Sequence, residues 1–212
     1  MKLPLLVSWL LWGGLGVPAG LGLWTLVEYL LHRWAMHGRR GRGIASREHL
    51  RHHAVPEQTS PAMRSLAYLG SFIGGGALAA VAGLLAPVAL AAGAGVGLVA
   101  GHAAYELGHW RAHHRPATNR WERSIRPRHF HHHFVSPRTN LGVTVEIWDR
   151  VFGTFEAPGQ VPVPRRLAMS WLLDDAGQVR AELAEHYRLV GPPMATGQDD
   201  LERALADRPP EP

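Results

Sequence analysis

Two runs of the sequence carry no Asp, Glu, Lys or Arg: 25 residues between Lys2 and Glu28, and 41 between Arg64 and Glu106. A helix rises about 1.5 Å per residue, so a hydrocarbon core of about 30 Å takes roughly 20 residues. The first run is long enough for one pass and the second for two, with Gly83 and Pro87 as turn candidates near its middle. Apolar spans are expected at about 3–31, 65–86 and 87–107. The first run has one basic residue ahead of it and exceeds the length of a signal-peptide apolar core, so a retained segment is expected. Gly13, Gly14, Gly16, Pro18 and Gly20 leave open whether it forms one kinked helix or a short re-entrant hairpin. The fold class is all-α: an integral-membrane helical bundle with a cytoplasmic, histidine-rich helical cap.

The charges lie between and after these runs. Residues 32–64 carry seven Arg against Glu48 and Glu57, and residues 111–150 carry eight Arg against Glu122, Glu146 and Asp149. Both are net +5 and flank the 41-residue run, so the positive-inside rule puts both on the cytoplasmic face, joined by a hairpin of two spans. Basic residues placed this way serve topology and lipid headgroups, and no nucleic-acid partner is expected. Arg makes up 21 of the 22 basic residues and Ala and Gly abound, as in GC-rich genomes, and a bacterial inner membrane is the expected location. The membrane-embedded unit is assigned to 1–156. Residues 157–212, net −3, read as a cytoplasmic tail without chemistry, with an amphipathic helix over Leu172–Leu189, a break at Gly191-Pro192-Pro193 and a disordered end at Asp207–Pro212.

Twelve of the 14 histidines fall into four short groups: His32 and His37; His49, His52 and His53; His109, His113 and His114; and His129, His131, His132 and His133. On a helix His102, Glu106, His109 and His113 share one face, at i, i+4, i+7 and i+11, while His114 is turned away. His49, His52 and His53 follow an i, i+3, i+4 pattern, as do His129, His132 and His133, and His131 points away from that stripe. His32 and His37 are about 140° apart on an α-helix and reach one site if the helix unwinds near Gly38. With no cysteine in the chain, any metal must take nitrogen and oxygen ligands. Imidazole suits Zn, Fe, Cu and Ni, and ten or eleven imidazoles suit two ions with four to five nitrogens each. A metal-buffering tract would run consecutively in a flexible segment. These groups instead repeat a helical form beside membrane spans, which favours an ordered site.

In that order around a membrane hairpin, HxxxxH, HxxHH, HxxxHH and HxxHH resemble the fatty acid hydroxylase superfamily of membrane diiron-type oxygenases. The likeness covers about residues 24–156. Glu28-Tyr29-Leu30-Leu31-His32-Arg33, His52-His53-Ala54-Val55-Pro56 and Tyr105-Glu106-Leu107-Gly108-His109-Trp110-Arg111-Ala112-His113-His114 are similar to the fatty acid 2-hydroxylase branch. So are Asn140-Leu141-Gly142 and Ile147-Trp148-Asp149-Arg150-Val151-Phe152-Gly153-Thr154. Glu106 stands where that branch has Asp, and Gly101-His102 where it often has Gly-Tyr.

The resemblance implies metal ligands at His32, His37, His49, His52, His53, His109, His113, His129, His132 and His133, and none at His102, His114 or His131. It implies two iron ions, replaceable by zinc on isolation in air, a lipid substrate taken from the bilayer, and electrons from a separate donor protein. Glu106 is expected to accept an imidazole N–H, and Asp149 to do likewise or to cap nearby backbone. Trp148 and Phe152 are expected to anchor at the interface or pack in the core. Acyl-chain 2-hydroxylation is the leading expectation. Sterol, hopanoid or carotenoid hydroxylation or desaturation are the enzymatic alternatives, and a membrane metal carrier or a scaffold with vestigial histidines the non-enzymatic ones.

Overall fold

The computed structural model describes residues 4–56 and 61–192. The Asp207–Pro212 end lies outside the described residues. Among the described residues, three helices are long and apolar enough to cross a membrane: α1 (Leu5–Leu30), α3 (Pro61–Ala82) and α4 (Val88–His114). Large apolar side chains such as Leu10, Leu11, Leu66, Leu69, Phe72 and Ile73 stand exposed on them. Exposure on this scale is costly in water and ordinary in lipid. The chain is an integral membrane protein built as a helical bundle. Around the spans lie α2 (Ile44–Ala54), α5 (Arg120–Phe134) and the single turn α6 (Ile147–Val151), followed by a pair of short strands, β1 (Val161–Pro164) and β2 (Tyr187–Val190).

The first apolar run is one continuous helix, not a re-entrant hairpin. Pro18 sits inside it, and close packing on a neighbouring helix makes that break tolerable. The helix does not unwind near Gly38; it widens into a π-helical segment, Leu31–Gly38. A π-helix bonds i to i+5 and packs more residues into each turn, so residues five apart, such as His32 and His37, lie nearer one face than on an α-helix. Their ring centroids stand 5.0 Å apart.

Helix α4 is the central element. It packs against α1 on one side and α3 on the other, whereas α1 and α3 barely meet. Small residues permit this. A Cβ added at Gly16, Gly20, Gly93 or Gly97 would run into backbone across the α1–α4 contact, and one at Gly75 or Gly95 would meet the backbone of its partner across α3–α4. Without water to drive apolar association, membrane helices are held by such close backbone approach.

Helix α5 starts at Asn119, whose side chain accepts from the Glu122 amide at 2.8 Å. Buried Glu122 pairs with Arg111 at 2.6 Å and lies 3.7 Å from buried Arg126, tying α5 to the end of α4. The far side of α5 is covered by the chain after residue 157, which the sequence left without a role. Phe130 and Ala112 pack with Val161, Val163, Met169, Trp171, Leu172 and Tyr187, and Trp171 donates to the Ala112 carbonyl at 3.1 Å.

The helix expected over Leu172–Leu189 does not form. Asp174 accepts from the Ala176 and Gln178 amides at 3.0 and 2.9 Å, Gly177 takes φ of 70°, and Leu173 bridges Val179. This side-chain-to-backbone turn replaces helical bonding. The segment then returns as β2, parallel to β1 with Val161 opposite Tyr187.

The α1–α4 contact yields a direct test. Gly97→Val places side-chain atoms against the Val17 carbonyl, and overpacking of this kind costs about 1–3 kcal/mol. The melting temperature in detergent is expected to fall by roughly 2–4 °C per kcal/mol. Gly22→Val, with nothing among the described residues within 4 Å of the added Cβ, is expected to melt as the wild type does.

Candidate metal centre

The cap brings ten histidines together in two sets. His32, His37, His49, His53 and His132 form one; His52, His109, His113, His129 and His133 form the other. Within each set, one potential ligand atom per residue lies within 4.8 Å of all the others. The sequence treats each HxxHH group as a single stripe, but the structure divides them. On α2, His49 and His53 serve the first set and His52 the second; on α5, His129 and His133 serve the second and His132 the first. An i, i+4 pair points one way, and the residue at i+3 points to the neighbouring set. Helices α2 and α5 thus straddle both sets, while the π-helical segment feeds only the first and α4 only the second. The sets adjoin: the rings of His53 and His133 stack with centroids 4.2 Å apart.

More nitrogens converge than hydrogen bonds alone can explain. His49 Nε2 faces Nε2 of His32, His37 and His53 at 3.0, 2.8 and 3.0 Å. A neutral imidazole has one N–H, so His49 can donate to only one of them. His132 faces His37 at 2.9 Å and His53 at 3.2 Å while its Nδ1 lies 2.9 Å from the Thr139 carbonyl. A carbonyl only accepts, so the His132 proton is on Nδ1 and its Nε2 presents a lone pair. The same holds for His32, whose Nδ1 donates to the Leu141 carbonyl at 2.6 Å. In the second set His113 and His129 face each other at 2.8 Å, and both ring nitrogens of His52 and of His133 are buried without a hydrogen-bond partner among the described residues.

Lone pairs converging in this way suit a cation. Two nitrogens each about 2.0–2.1 Å from an ion and set at right angles stand about 3 Å apart. Burial also keeps these imidazoles neutral, lowering His52 to about 4 and His53 to about 2, and holding His49, His129, His132 and His133 well below the usual range. The donor set is all nitrogen, and both sets can hold a metal ion.

A second layer fixes the first set. The loop 139–144 supplies the carbonyls that orient His132 and His32, and that loop is itself pinned. Asp149 accepts from the Leu141 and Gly142 amides at 2.7 and 2.8 Å and from the Thr154 hydroxyl at 2.7 Å. It caps backbone and bonds no imidazole, the second of its two expected roles. Burial raises its carboxyl above the ordinary range, while the Thr154, Gly142 and Leu141 bonds pull it back. Glu28, buried on α1, accepts from the Thr144 amide at 2.9 Å and hydroxyl at 2.5 Å. Its role was not read from the sequence. As a carboxylate ending a long uncharged span, it carried the signal of a functional or paired group. Tyr29, fully buried, stacks on Phe152, and Trp148 donates to Thr25, so both aromatics of the Trp148–Phe152 turn pack onto α1.

Glu106 departs from its expected role. It stands 3.6 Å from His102 and makes no hydrogen bond to either set. It lines two cavities instead, of about 400 and 510 Å³. His102, His114 and His131 stay outside both sets. His102 packs beside Trp24 and Tyr68, His114 stacks on Trp110, and His131 pairs with Asn140 and Glu156.

Three membrane helices under a cap of two adjoining all-histidine sets define a membrane protein of the histidine-ligated metal-binding class. Residues 17–154 match the fatty acid hydroxylase family. That is well over half of the chain, and the chain belongs to this family. It is 30% identical over 149 residues to the dihydroceramide fatty acyl 2-hydroxylase FAH2 of Arabidopsis thaliana, covering 66% of this chain and 60% of that protein. It is 28% identical to the ceramide very long chain fatty acid hydroxylase scs7 of Schizosaccharomyces pombe, covering 64% and 40%. It is 25% identical to the fatty acid 2-hydroxylase of Homo sapiens, covering 64% and 38%. The chain therefore spans between 38% and 60% of these relatives' lengths. A solved structure of full-length scs7p, with only the hydroxylase domain visible, superposes with a TM-score of 0.55 at 26% identity, covering 72% of this chain and 59% of that one.

The division into two sets predicts the metal content of variants. The pair His53→Ala/His132→Ala removes two of five donors from the first set and none from the second. Elemental analysis of the purified protein is expected to fall from two ions per chain to one. A variant that retains both, or loses both, contradicts the division.

Proposed function

We propose that the chain is a membrane-bound diiron oxygenase that hydroxylates a C–H bond of a lipid acyl chain, with attack at carbon 2. The observation that carries this reading is the placement of two five-nitrogen sets directly on apolar cavities within a membrane bundle. His32 lines the larger cavity, and His49, His52, His109 and His113 line the smaller. Iron bound in these sets would activate O₂, the oxidant that an unactivated C–H bond demands and that side chains cannot activate, with electrons from the donor.

The chain's own residues do the rest. The ten imidazoles hold the ions, and the Leu141 and Thr139 carbonyls fix the tautomer and orientation of His32 and His132. Asp149 and Glu28 hold the loop that carries those carbonyls. Glu106, where the two cavities meet, is placed to accept a hydrogen bond from the polar end of the substrate while the apolar walls exclude water. The substrate enters from the bilayer. The Arg-rich segments 32–64 and 111–150 favour the cytoplasmic side for the cap, where a separate donor protein delivers electrons. Zinc occupies the same donors if the protein is isolated without iron. Attack at carbon 2 rests on the relatives named 2-hydroxylases, at 25–30% identity.

Untargeted lipid mass spectrometry tests the reading, on cells making the wild type or His109→Ala, with and without oxygen and with a compatible donor present. An oxygen-dependent gain of one oxygen on an acyl chain, absent from His109→Ala, is expected. A loss of two hydrogens would replace hydroxylation with desaturation. Identical lipids in all samples would leave the metal-carrier reading in its place.

A further inference from the structure

The two outer spans leave a gap. Because α1 and α3 each pack on α4 but scarcely on each other, a cleft runs between them with α4 as its floor. Its cavity, about 510 Å³, is walled by Val27 from α1, by Leu31 from the π-helical segment, by Gly70, Ser71 and Gly74 from α3, and by Leu98 from α4. The cleft joins the metal centre at one end, where His32 and Glu106 form its wall. It shares Met36, Ala45, Ala67, Tyr105 and Glu106 with the cavity that touches the second set. At the other end it reaches Leu98, 11 residues or about 16 Å along α4 from His109.

The glycines of α3 divide by face. Gly75 is buried against Gly95 and Val99 of α4, where a Cβ would come within 2.9 Å of both. Gly70 and Gly74 line the cleft, are exposed, and have nothing among the described residues within 4 Å of an added Cβ. Their missing side chains therefore serve no helix contact. They leave the cleft wide and open sideways between two membrane spans. Leu31, another wall residue, is likewise 43% exposed.

We propose that this cleft is the slot for the substrate's acyl chain, entered laterally from the bilayer, and that Gly70 and Gly74 set the chain length it accepts. The occupant is a hydrocarbon chain. Below Glu28, Glu106 and His102 the lining is apolar apart from the Ser71 hydroxyl, which bonds back to the Tyr68 carbonyl; the slot runs about 12 Å along α4 from Glu106 to Leu98, its mouth faces lipid, and it is continuous with the metal centre. A side chain at position 74 fills the deep end of the slot without disturbing α3–α4 packing, so it acts on length and not on folding. This assignment rests on the hydroxylase reading for the substrate's fate, but the slot itself can be tested without turnover.

The test compares wild type, Gly74→Leu and Gly76→Leu in lipid nanodiscs with fatty acids of graded length bearing a terminal diazirine. Gly76 also has open space around its Cβ position but does not line the cleft, so it controls for added bulk on α3. After irradiation, peptide mapping is expected to place the wild-type label near Trp24 and Leu98. For the longest probes, labelling there falls about tenfold in Gly74→Leu, the loss expected when about two methylenes no longer fit. Gly76→Leu labels as wild type. In cells, hydroxylated lipids shift to shorter chains in Gly74→Leu alone. If hydroxylated lipids form but labelling and chain-length profile match in all three proteins, the slot assignment is overturned. If labelling shifts as stated but the wild type hydroxylates nothing, the slot stands and the hydroxylase reading falls.

Discussion

Ring nitrogens held about 3 Å apart, in numbers that their own N–H groups cannot satisfy, are the condition on which the rest of this structure turns. His32 and His132 spend their N–H groups on the carbonyls of Leu141 and Thr139, so their other nitrogens arrive at the first set as lone pairs. Such lone pairs repel at close range and are reconciled by a cation. Burial makes the arrangement persist in its neutral form, since protonating any one imidazole would place a charge among desolvated neighbours.

The remaining architecture brings four histidine-bearing segments to that point and keeps them there. Glycine-lined contacts fix α4 between α1 and α3. The π-helical segment brings two histidines five residues apart into one set. The 139–144 loop is gripped from below by Glu28 and from beside by Asp149, so one short loop transmits the position of α1 and α6 to His32 and His132. On the outer side, the strands and turns after residue 157 cover Phe130 and tie Trp171 to α4 next to His113. The histidine-bearing helices are thus clamped on both faces, as a site able to hold a metal in defined geometry requires.

Much of this was legible in the sequence, and for physical reasons. The uncharged runs measure their own spans against the bilayer, and Pro87 with Gly83 marks the turn between α3 and α4. Helical spacing placed Glu106, His109 and His113 on one face. Spacing alone could not divide HxxHH between two sets, because adjacent positions on one helix can serve separate ions only if partners approach from both sides. The π-helical segment was also hidden, since an α-helical ruler puts His32 and His37 about 140° apart. Glu106 shares the ligand face, which suggests an imidazole acceptor, yet its level along α4 sets it beside His102 and the cavities. The apolar spacing of 172–189 suits a helix, while Asp174 and Gly177 form a turn whose hydrogen bonds preclude one.

X-ray absorption at the metal edge of anaerobically iron-loaded protein tests the central claim most directly. If two ions lie among ten imidazoles, the first shell contains nitrogen and oxygen scatterers at about 2.0–2.2 Å, dominated by imidazole nitrogen with about five per metal, and no sulfur. A shell made mainly of water or carboxylate oxygen, or one ion per chain in the intact protein, would contradict it.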